Sequence, residues 1–140
     1  MKILILCTGN SCRSQMAQGF LQALDAKLQV YSAGTTPALQ VSPYAIMAMA
    51  KRGIDISHHK PTSVSVYQNE PWDYVITVCS HAKETCPHFI GTVKHRMHIG
   101  FEDPALAYGS KEQILAQFIR VRDEIEKSFT QFYKSLKFDN

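Results

Sequence analysis

The segment that follows the first apolar run holds the residues best suited to chemistry. Residues 7–14 read CTGNSCRS, in which an arginine follows a cysteine after five residues and a serine comes next. A loop of this length can curl until successive backbone N–H groups point inward and form a nest for an anion. Gly9 and Asn10 are residue types that tolerate the positive φ angles of a tight curl. The spacing therefore predicts a loop that binds an oxyanion.

The side chains of this loop suit nucleophilic chemistry on the bound oxyanion. Arg13 can present a planar, two-pronged donor to a tetrahedral oxyanion. Cys7, at the base of the loop, would share the positive field of the N–H groups and of a following helix, which favours its thiolate. Ser14 can donate its hydroxyl to that thiolate. The residues expected to hold the oxyanion are Thr8, Gly9, Asn10, Ser11, Cys12, Arg13 and Ser14.

A plain glycine-containing turn with a buried cysteine could carry the same letters, because C-x5-R arises often by chance. The flanking sequence favours the anion loop. The run ILIL at residues 3–6 is typical of a buried strand. Residues 14–24 place Met16, Phe20 and Leu24 on one helical stripe. A strand before the loop and a helix after it are the elements that an anion-binding turn requires.

The rest of the chain continues to alternate between strands and helices. Strands are expected at residues 28–32, 74–78 and 93–98, with helices at residues 43–52 and after Ser110, where Gln113 completes a capping box. The alternation predicts an α/β fold with three layers, α/β/α, around a four-stranded parallel sheet. Active sites of such sheets lie beyond the carboxyl ends of the strands. Cys7, Cys79 and the loop after His98 all fall at such ends.

Length and composition bound the class of protein. With 140 residues, 45% hydrophobic and 19% charged, the chain is expected to form one globular domain over residues 1–140. Its net charge of +3 is too small to indicate nucleic acid, although it suits a small anionic substrate. The run ILIL is too short for a signal or membrane segment, so we expect a cytoplasmic protein. In that compartment the four cysteines are expected to be catalytic, metal-binding or inert.

The loop resembles the phosphate loop of the low-molecular-weight tyrosine phosphatase family, which has the pattern C-x5-R-S. VCSHAKETCP at residues 78–87 resembles the redox segment of the thioredoxin-coupled arsenate reductases of that family, which carry a cysteine pair seven positions apart. The resemblance extends over nearly the whole chain through LCTGNSCRSQMA, VYSAG, GIDIS, GFEDPA and FIRVRDEI.

This resemblance implies a reaction that uses three thiols. Cys7 would attack arsenate, with Asp103 as general acid for the leaving oxygen. Cys79 would attack Cys7 and release arsenite, and Cys86 would then attack Cys79 to leave a disulfide that thioredoxin reduces. Such a protein serves arsenic detoxification. If residues 79–86 formed a helix, the two thiols would be about 10 Å apart along its axis, so the segment must unwind on oxidation.

Two other functions remain open. A tyrosine phosphatase of the same fold would use Cys7, Arg13 and Asp103 alone. Phosphatases of the family usually carry tyrosines after the Asp-Pro pair, whereas this chain has Ala105-Leu106, and Tyr108 comes too late. A redox or oxyanion sensor would use the same thiols without turnover.

The expected partners are arsenate, with phosphate as its analogue, and reduced thioredoxin as electron donor. We expect no bound cofactor, no nucleic acid, no membrane and a monomeric chain. Some arsenate reductases of this type bind potassium with acidic residues behind the loop, but the matching residues here are the uncharged Gln18 and Thr62. Asn10 and Ser32 remain, so a strong potassium site is not expected.

Three further groups have plainer interpretations. Cys12 could back up Cys7 under oxidation, but a small buried filler is the more common role of such a cysteine. His95 and His98 form a weak zinc pattern, and in a strand they would point to opposite faces. The charged residues of the last helix are expected to form its solvated face; they are Arg120, Arg122, Asp123, Glu124 and Glu126.

Overall fold

A parallel four-stranded sheet forms the centre of the protein in the computed structural model, which describes residues 1–80, 82 and 89–136. The strands are β1 (Lys2–Cys7), β2 (Gln29–Gly34), β3 (Trp72–Thr77) and β4 (Val93–His98), in the order β2-β1-β3-β4. The helices of the described ranges are α1 (Arg13–Leu24), α2 (Pro43–Ala50) and α3 (Lys111–Ser135), with 3₁₀ turns at Val64–Val66 and Pro104–Leu106. The predicted α/β fold and parallel sheet are confirmed.

The register of the sheet brings the carboxyl ends of the strands to one edge. Cys7 pairs with Gly34 on β2, and Thr77 pairs both with Leu6 on β1 and with His98 on β4. The ladder continues past the strands, where Val78 donates its N–H to the carbonyl of Leu6 at 2.9 Å. The segments that follow β1, β3 and β4 therefore start side by side, as parallel sheets require of their binding edge.

The helices follow the predicted apolar patterns with local differences. On α1, Met16 and Phe20 are buried, but Leu24 ends the helix and is 41% exposed, so the expected stripe is one residue shorter. Helix α2 ends at Ala50, two residues before the predicted end, and Gly53 follows with a φ of 75°. Within the described ranges, every helix is too short or too polar to span a bilayer.

Helix α3 has the predicted capping box and apolar face. The Ser110 hydroxyl accepts the N–H of Gln113 at 3.1 Å, and the Gln113 side chain accepts the N–H of Ser110 at 2.8 Å. Its buried apolar residues recur at helical spacing; they are Phe118, Val121, Ile125, Phe129 and Phe132. This face packs against α1 and α2, so α3 holds the two shorter helices together.

One residue expected on the solvated face of α3 is instead buried. Arg122 is only 7% exposed, and its Nη1 donates to the carbonyl of Ala48 at 2.9 Å. Its Nε and Nη2 bind one carboxylate oxygen of Asp123 at 2.9 and 2.7 Å. The carbonyl lies in the last turn of α2, where an α-helix has no partner of its own. Arg122 therefore satisfies the end of a neighbouring helix, which a pattern of charges along one helix cannot reveal.

We expect Arg122→Met to lower the free energy of unfolding by about 1–3 kcal/mol, because a buried carbonyl loses its donor while the packing length is kept. Urea denaturation measures this change. Arg120→Met on the same helix is the control, because Arg120 is exposed and its ion pairs are screened by water. Equal effects of the two substitutions would contradict the role assigned to Arg122.

Candidate active site

The loop between β1 and α1 turns its carbonyls away from its interior. The carbonyls of residues 7, 8, 9 and 11 accept backbone N–H groups of Thr35, Thr36, Ala38 and Ser42 at 3.2, 2.9, 2.8 and 2.9 Å. The carbonyl of Asn10 accepts the side-chain amide of Gln15 at 3.1 Å. Because these carbonyls are engaged on the outside, the N–H groups of the loop face inward. This is the orientation that the predicted anion nest requires.

Two backbone features allow the loop to close. Asn10 has a φ of 52°, as expected for a tight curl, whereas Gly9 does not adopt a positive φ. Gly34 at the end of β2 lies directly behind the loop: a Cβ there would be 2.5 Å from the carbonyl oxygen of Thr8 and 3.1 Å from the Cβ of Asn10. A larger residue than glycine at position 34 would therefore push the loop out of place.

Asn10 directs two hydrogen-bond donors at the sulfur of Cys7. Its own backbone N–H donates to the Sγ atom at 3.1 Å. The N–H of Thr62 donates to its Oδ1 at 2.9 Å, which fixes the amide so that Nδ2 donates to the Ser14 hydroxyl at 2.7 Å. The Ser14 proton is then left for Cys7, whose Sγ lies 3.0 Å from the Ser14 Oγ. Both donors thus lie within hydrogen-bonding distance of the sulfur that the sequence predicts as the nucleophile.

The sequence indicated Ser14 for this role, but it did not indicate the part that Asn10 and Thr62 take in it. Asn10 is completely buried, and Thr62 reaches it from a segment 52 residues further along the chain. No local pattern signals such a contact.

Arg13 and Asp103 come together at the mouth of the loop. Nη1 of Arg13 donates to the carbonyl of Phe101 at 3.1 Å, and Nη2 lies 3.5 Å from the Asp103 carboxylate. The second oxygen of Asp103 accepts the N–H of Ala105 at 3.0 Å and so caps the turn Pro104–Leu106. The guanidinium is thus held beside the nest, with a carboxyl group next to it that can exchange a proton with a bound oxyanion.

The second thiol of the predicted series also borders the loop. The Sγ of Cys79 lies 3.3 Å from the Thr8 hydroxyl and accepts the N–H of Ala82 at 3.4 Å. Cys79 is 4% exposed. The structure therefore places this sulfur against the residue that follows Cys7. Cys86 lies outside the described residues, as does most of the segment expected to unwind.

Cys12 is buried within the loop and lies near the hydroxyl of Ser11, at 3.5 Å. Burial raises the pKa of its thiol. A thiol with a raised pKa is a poor nucleophile at neutral pH, because the thiolate is the reactive form. This favours the packing role for Cys12.

Neutral side chains occupy the region behind the loop, where some arsenate reductases of this type are expected to bind potassium with acidic residues. The Gln18 amide accepts the Ser32 hydroxyl at 2.6 Å and donates to the carbonyl of Val30 at 3.2 Å. The side-chain oxygen of Asn10 is already engaged by the N–H of Thr62. Across the part of the chain that the structure describes, no three His, Cys, Asp or Glu side chains converge as metal ligands would.

We expect Gly34→Ala to weaken binding of phosphate by about tenfold or more, because the added methyl displaces a loop whose donors must converge on the anion. Isothermal titration with phosphate measures the effect. Gly53→Ala is the control, since Gly53 has a strained φ of 75° but nothing within 4 Å of an added Cβ. It should cost stability and leave phosphate affinity unchanged; equal losses of affinity would argue against the packing of Gly34 on the loop.

Comparison with known proteins places this site in a family. The sequence matches the family described as low molecular weight phosphotyrosine protein phosphatase over residues 2–140. It is 45% identical over 136 residues to a protein named arsenate reductase from Halalkalibacterium halodurans, covering 96% of both chains.

Solved structures show the same similarity. An arsenate reductase in its phosphate-binding state superimposes with a TM-score of 0.81 at 30% identity, covering 97% of this chain and 98% of the other. A thioredoxin-dependent arsenate reductase from Corynebacterium glutamicum gives a TM-score of 0.67 at 28% identity, covering 96% of this chain and 60% of that one. The chain therefore belongs to the low molecular weight phosphotyrosine protein phosphatase family, and it is similar over nearly its full length to family members named arsenate reductase.

Proposed function

We propose that this protein reduces arsenate to arsenite with three cysteines and takes its electrons from thioredoxin. The observation that carries the proposal is the position of Cys79, whose sulfur lies 3.3 Å from the hydroxyl of Thr8. A phosphatase needs one nucleophilic thiol, since water completes its reaction. A second thiol buried against the same loop is what a reductase requires.

In the first step the anion nest holds arsenate, with Arg13 as a two-pronged clamp on its oxygens. The thiolate of Cys7 attacks arsenic, an S–As bond forms, and an As–O bond breaks. Asp103, next to Arg13 at 3.5 Å, gives its proton to the departing oxygen, which leaves as water. The product is a covalent adduct between Cys7 and arsenic(V).

In the second step the thiolate of Cys79 attacks the sulfur of Cys7. An S–S bond forms and the S–As bond breaks with its electron pair going to arsenic, which is reduced from As(V) to As(III) and leaves as arsenite. The Thr8 hydroxyl lies within hydrogen-bonding distance of the attacking Cys79 sulfur. Cys86 then attacks Cys79, Cys7 is released as thiolate, and the disulfide Cys79–Cys86 remains.

The dithiol of thioredoxin would reduce this disulfide by thiol exchange and return the protein to its starting state. The relative from Corynebacterium glutamicum, which is named thioredoxin-dependent, supports this electron donor. We place the reaction in the cytoplasm, where thiols are kept reduced between turnovers, and its cellular purpose in arsenic detoxification.

The second candidate is a tyrosine phosphatase that uses Cys7, Arg13 and Asp103. The pairing of Arg13 with Asp103 is compatible with it. The residues directly after Asp103 count against it, because the 3₁₀ turn Pro104–Leu106 contains no aromatic residue and its Leu106 is exposed. A small inorganic substrate needs no aromatic stacking partner and is therefore more consistent with this turn than an aryl phosphate.

We expect arsenate-dependent oxidation of NADPH, in the presence of thioredoxin and thioredoxin reductase, to be abolished by Cys79→Ser and by Cys86→Ser. Each substitution removes the thiol that carries out one of the two exchange steps, so the catalytic cycle cannot be completed. Cleavage of a small aryl phosphate by Cys86→Ser should largely persist, because that reaction would use Cys7, Arg13 and Asp103 and neither of the two later cysteines.

Cys12→Ser is the matched control, and it should retain turnover. Arsenate-dependent turnover that survives Cys79→Ser would refute the three-cysteine route. Oxidation of the wild-type protein without repeated turnover would identify a sensor.

We expect turnover in potassium and in sodium chloride to agree within about twofold at equal ionic strength. The reason is that Gln18 and Thr62 are uncharged and the amide oxygens of Gln18 and Asn10 already accept hydrogen bonds. Steady-state rates in the two salts test this. A clear activation by potassium alone would show that a cation does bind behind the loop.

A further inference from the structure

A chain of hydrogen bonds runs from the anion loop through helix α1 to a histidine. The side chain of Gln15 donates from Nε2 to the carbonyl of Asn10 at 3.1 Å and to the carbonyl of Lys60 at 3.4 Å. Its Oε1 lies 2.9 Å from Nδ1 of His59. Gln15 is 1% exposed, so its amide must find its partners within the protein. The sequence pattern did not indicate this contact between Gln15 and His59.

The orientation of the Gln15 amide is fixed by what surrounds it. Two carbonyls can only accept, so the NH₂ group faces them and the oxygen faces His59. Burial lowers the pKa of His59, so its ring is neutral at neutral pH and carries one proton. The proton lies on Nδ1, because the partner there is an oxygen that can only accept.

We propose that Gln15 is a positioning residue for the oxyanion nest and that His59 holds its amide in the required orientation. The inference rests on the proposed function only in that the nest between Cys7 and Arg13 binds the reacting oxyanion. Gln15 reaches no substrate itself.

The backbone of the loop shows why such a contact matters. The carbonyl of Asn10 and the N–H of Ser11 belong to one planar peptide group and point in opposite directions. Holding the carbonyl outward therefore aims the N–H of Ser11 into the nest. Asn10 also has a φ of 52°, a conformation that residues with a Cβ disfavour. Gln15 and Thr62 bind its carbonyl and its side-chain oxygen and so hold it there.

The test is the affinity of the loop for inorganic phosphate, measured by its protection of Cys7 against iodoacetamide in the full-length protein. Site-resolved mass spectrometry follows the alkylation of Cys7. We expect Gln15→Met to weaken phosphate binding by about tenfold, since one charge-assisted donor of the nest is no longer aimed. Gln22→Met is the control, because Gln22 lies on the same helix and donates to the carbonyl of Val30, away from the loop.

His59 provides a second test that does not depend on the folding of Gln15→Met. His59→Phe keeps a ring but removes the donor, and we expect about a threefold loss of phosphate affinity. His59→Asn places an amide N–H near the position of Nδ1 and should restore affinity to about the wild-type value. His58→Phe is the control. His58 is exposed, its ring centroid lies 4.6 Å from that of His59, and the same replacement of a histidine by phenylalanine there leaves the contact between His59 and Gln15 in place.

Urea denaturation of the same variants separates positioning from stability. A purely structural role would lower stability and leave phosphate affinity intact, or would make His59→Asn and His59→Phe equally weak. Either result would overturn the proposal. The assay contains no arsenate and no thioredoxin, so failure of the reductase activity would leave this result unaffected.

Discussion

The site depends on one constraint, the outward orientation of the carbonyls in the loop that follows β1. Six consecutive carbonyls, those of residues 7–12, accept hydrogen bonds from groups outside the loop. Each peptide group that turns its carbonyl outward turns its N–H inward. The concentration of donors around the thiol of Cys7 is therefore made by the segment at residues 35–42 and by helix α1, more than by the loop residues. The tight packing of Gly34 behind the loop follows from the same requirement.

Given that loop, the chemistry depends on which other groups reach it. In both of the reactions considered above, Arg13 would act as the clamp and the neighbouring Asp103 as the proton donor. The distinction between them lies in a second sulfur. Cys79 follows β3, the direct neighbour of β1 in the sheet, so its position beside Thr8 is a consequence of strand order. In the proposed function, the fold supports reduction because Cys79 follows the end of β3 and so lies beside the loop that follows β1.

Neutral groups carry out much of the positioning around the loop. Asn10, Gln15 and Gln18 are amides whose oxygen and nitrogen atoms each have a hydrogen-bond partner, which is a backbone group, a hydroxyl or a neutral histidine. A buried amide with all partners present avoids the desolvation cost of a buried charge, and its two ends fix an orientation. The region behind the loop is thus held by dipoles, whereas the guanidinium of Arg13 lies beside Phe101 and Asp103.

The sequence by itself determined the alternation of strands and helices and the position of the loop between β1 and α1 that begins at Cys7. These features are encoded in neighbouring residues: an apolar run, a C-x5-R-S spacing and a helical stripe or capping box. The predictions that were partly wrong concern the ends of helices. Leu24 and the end of α2 were misplaced by one or two residues, because the ends of helices depend on what they pack against.

Only the tertiary structure decided which distant groups complete the site. Thr62 on the Asn10 amide, His59 on Gln15 and Phe101 on Arg13 are contacts across 52, 44 and 88 residues. Arg122 was assigned to solvent because charges on a long helix usually face water, yet the end of α2 needed a donor there. The physical reason is common to all four. A hydrogen bond between distant segments depends on strand order and helix packing, and its partners leave no periodic signal in the sequence.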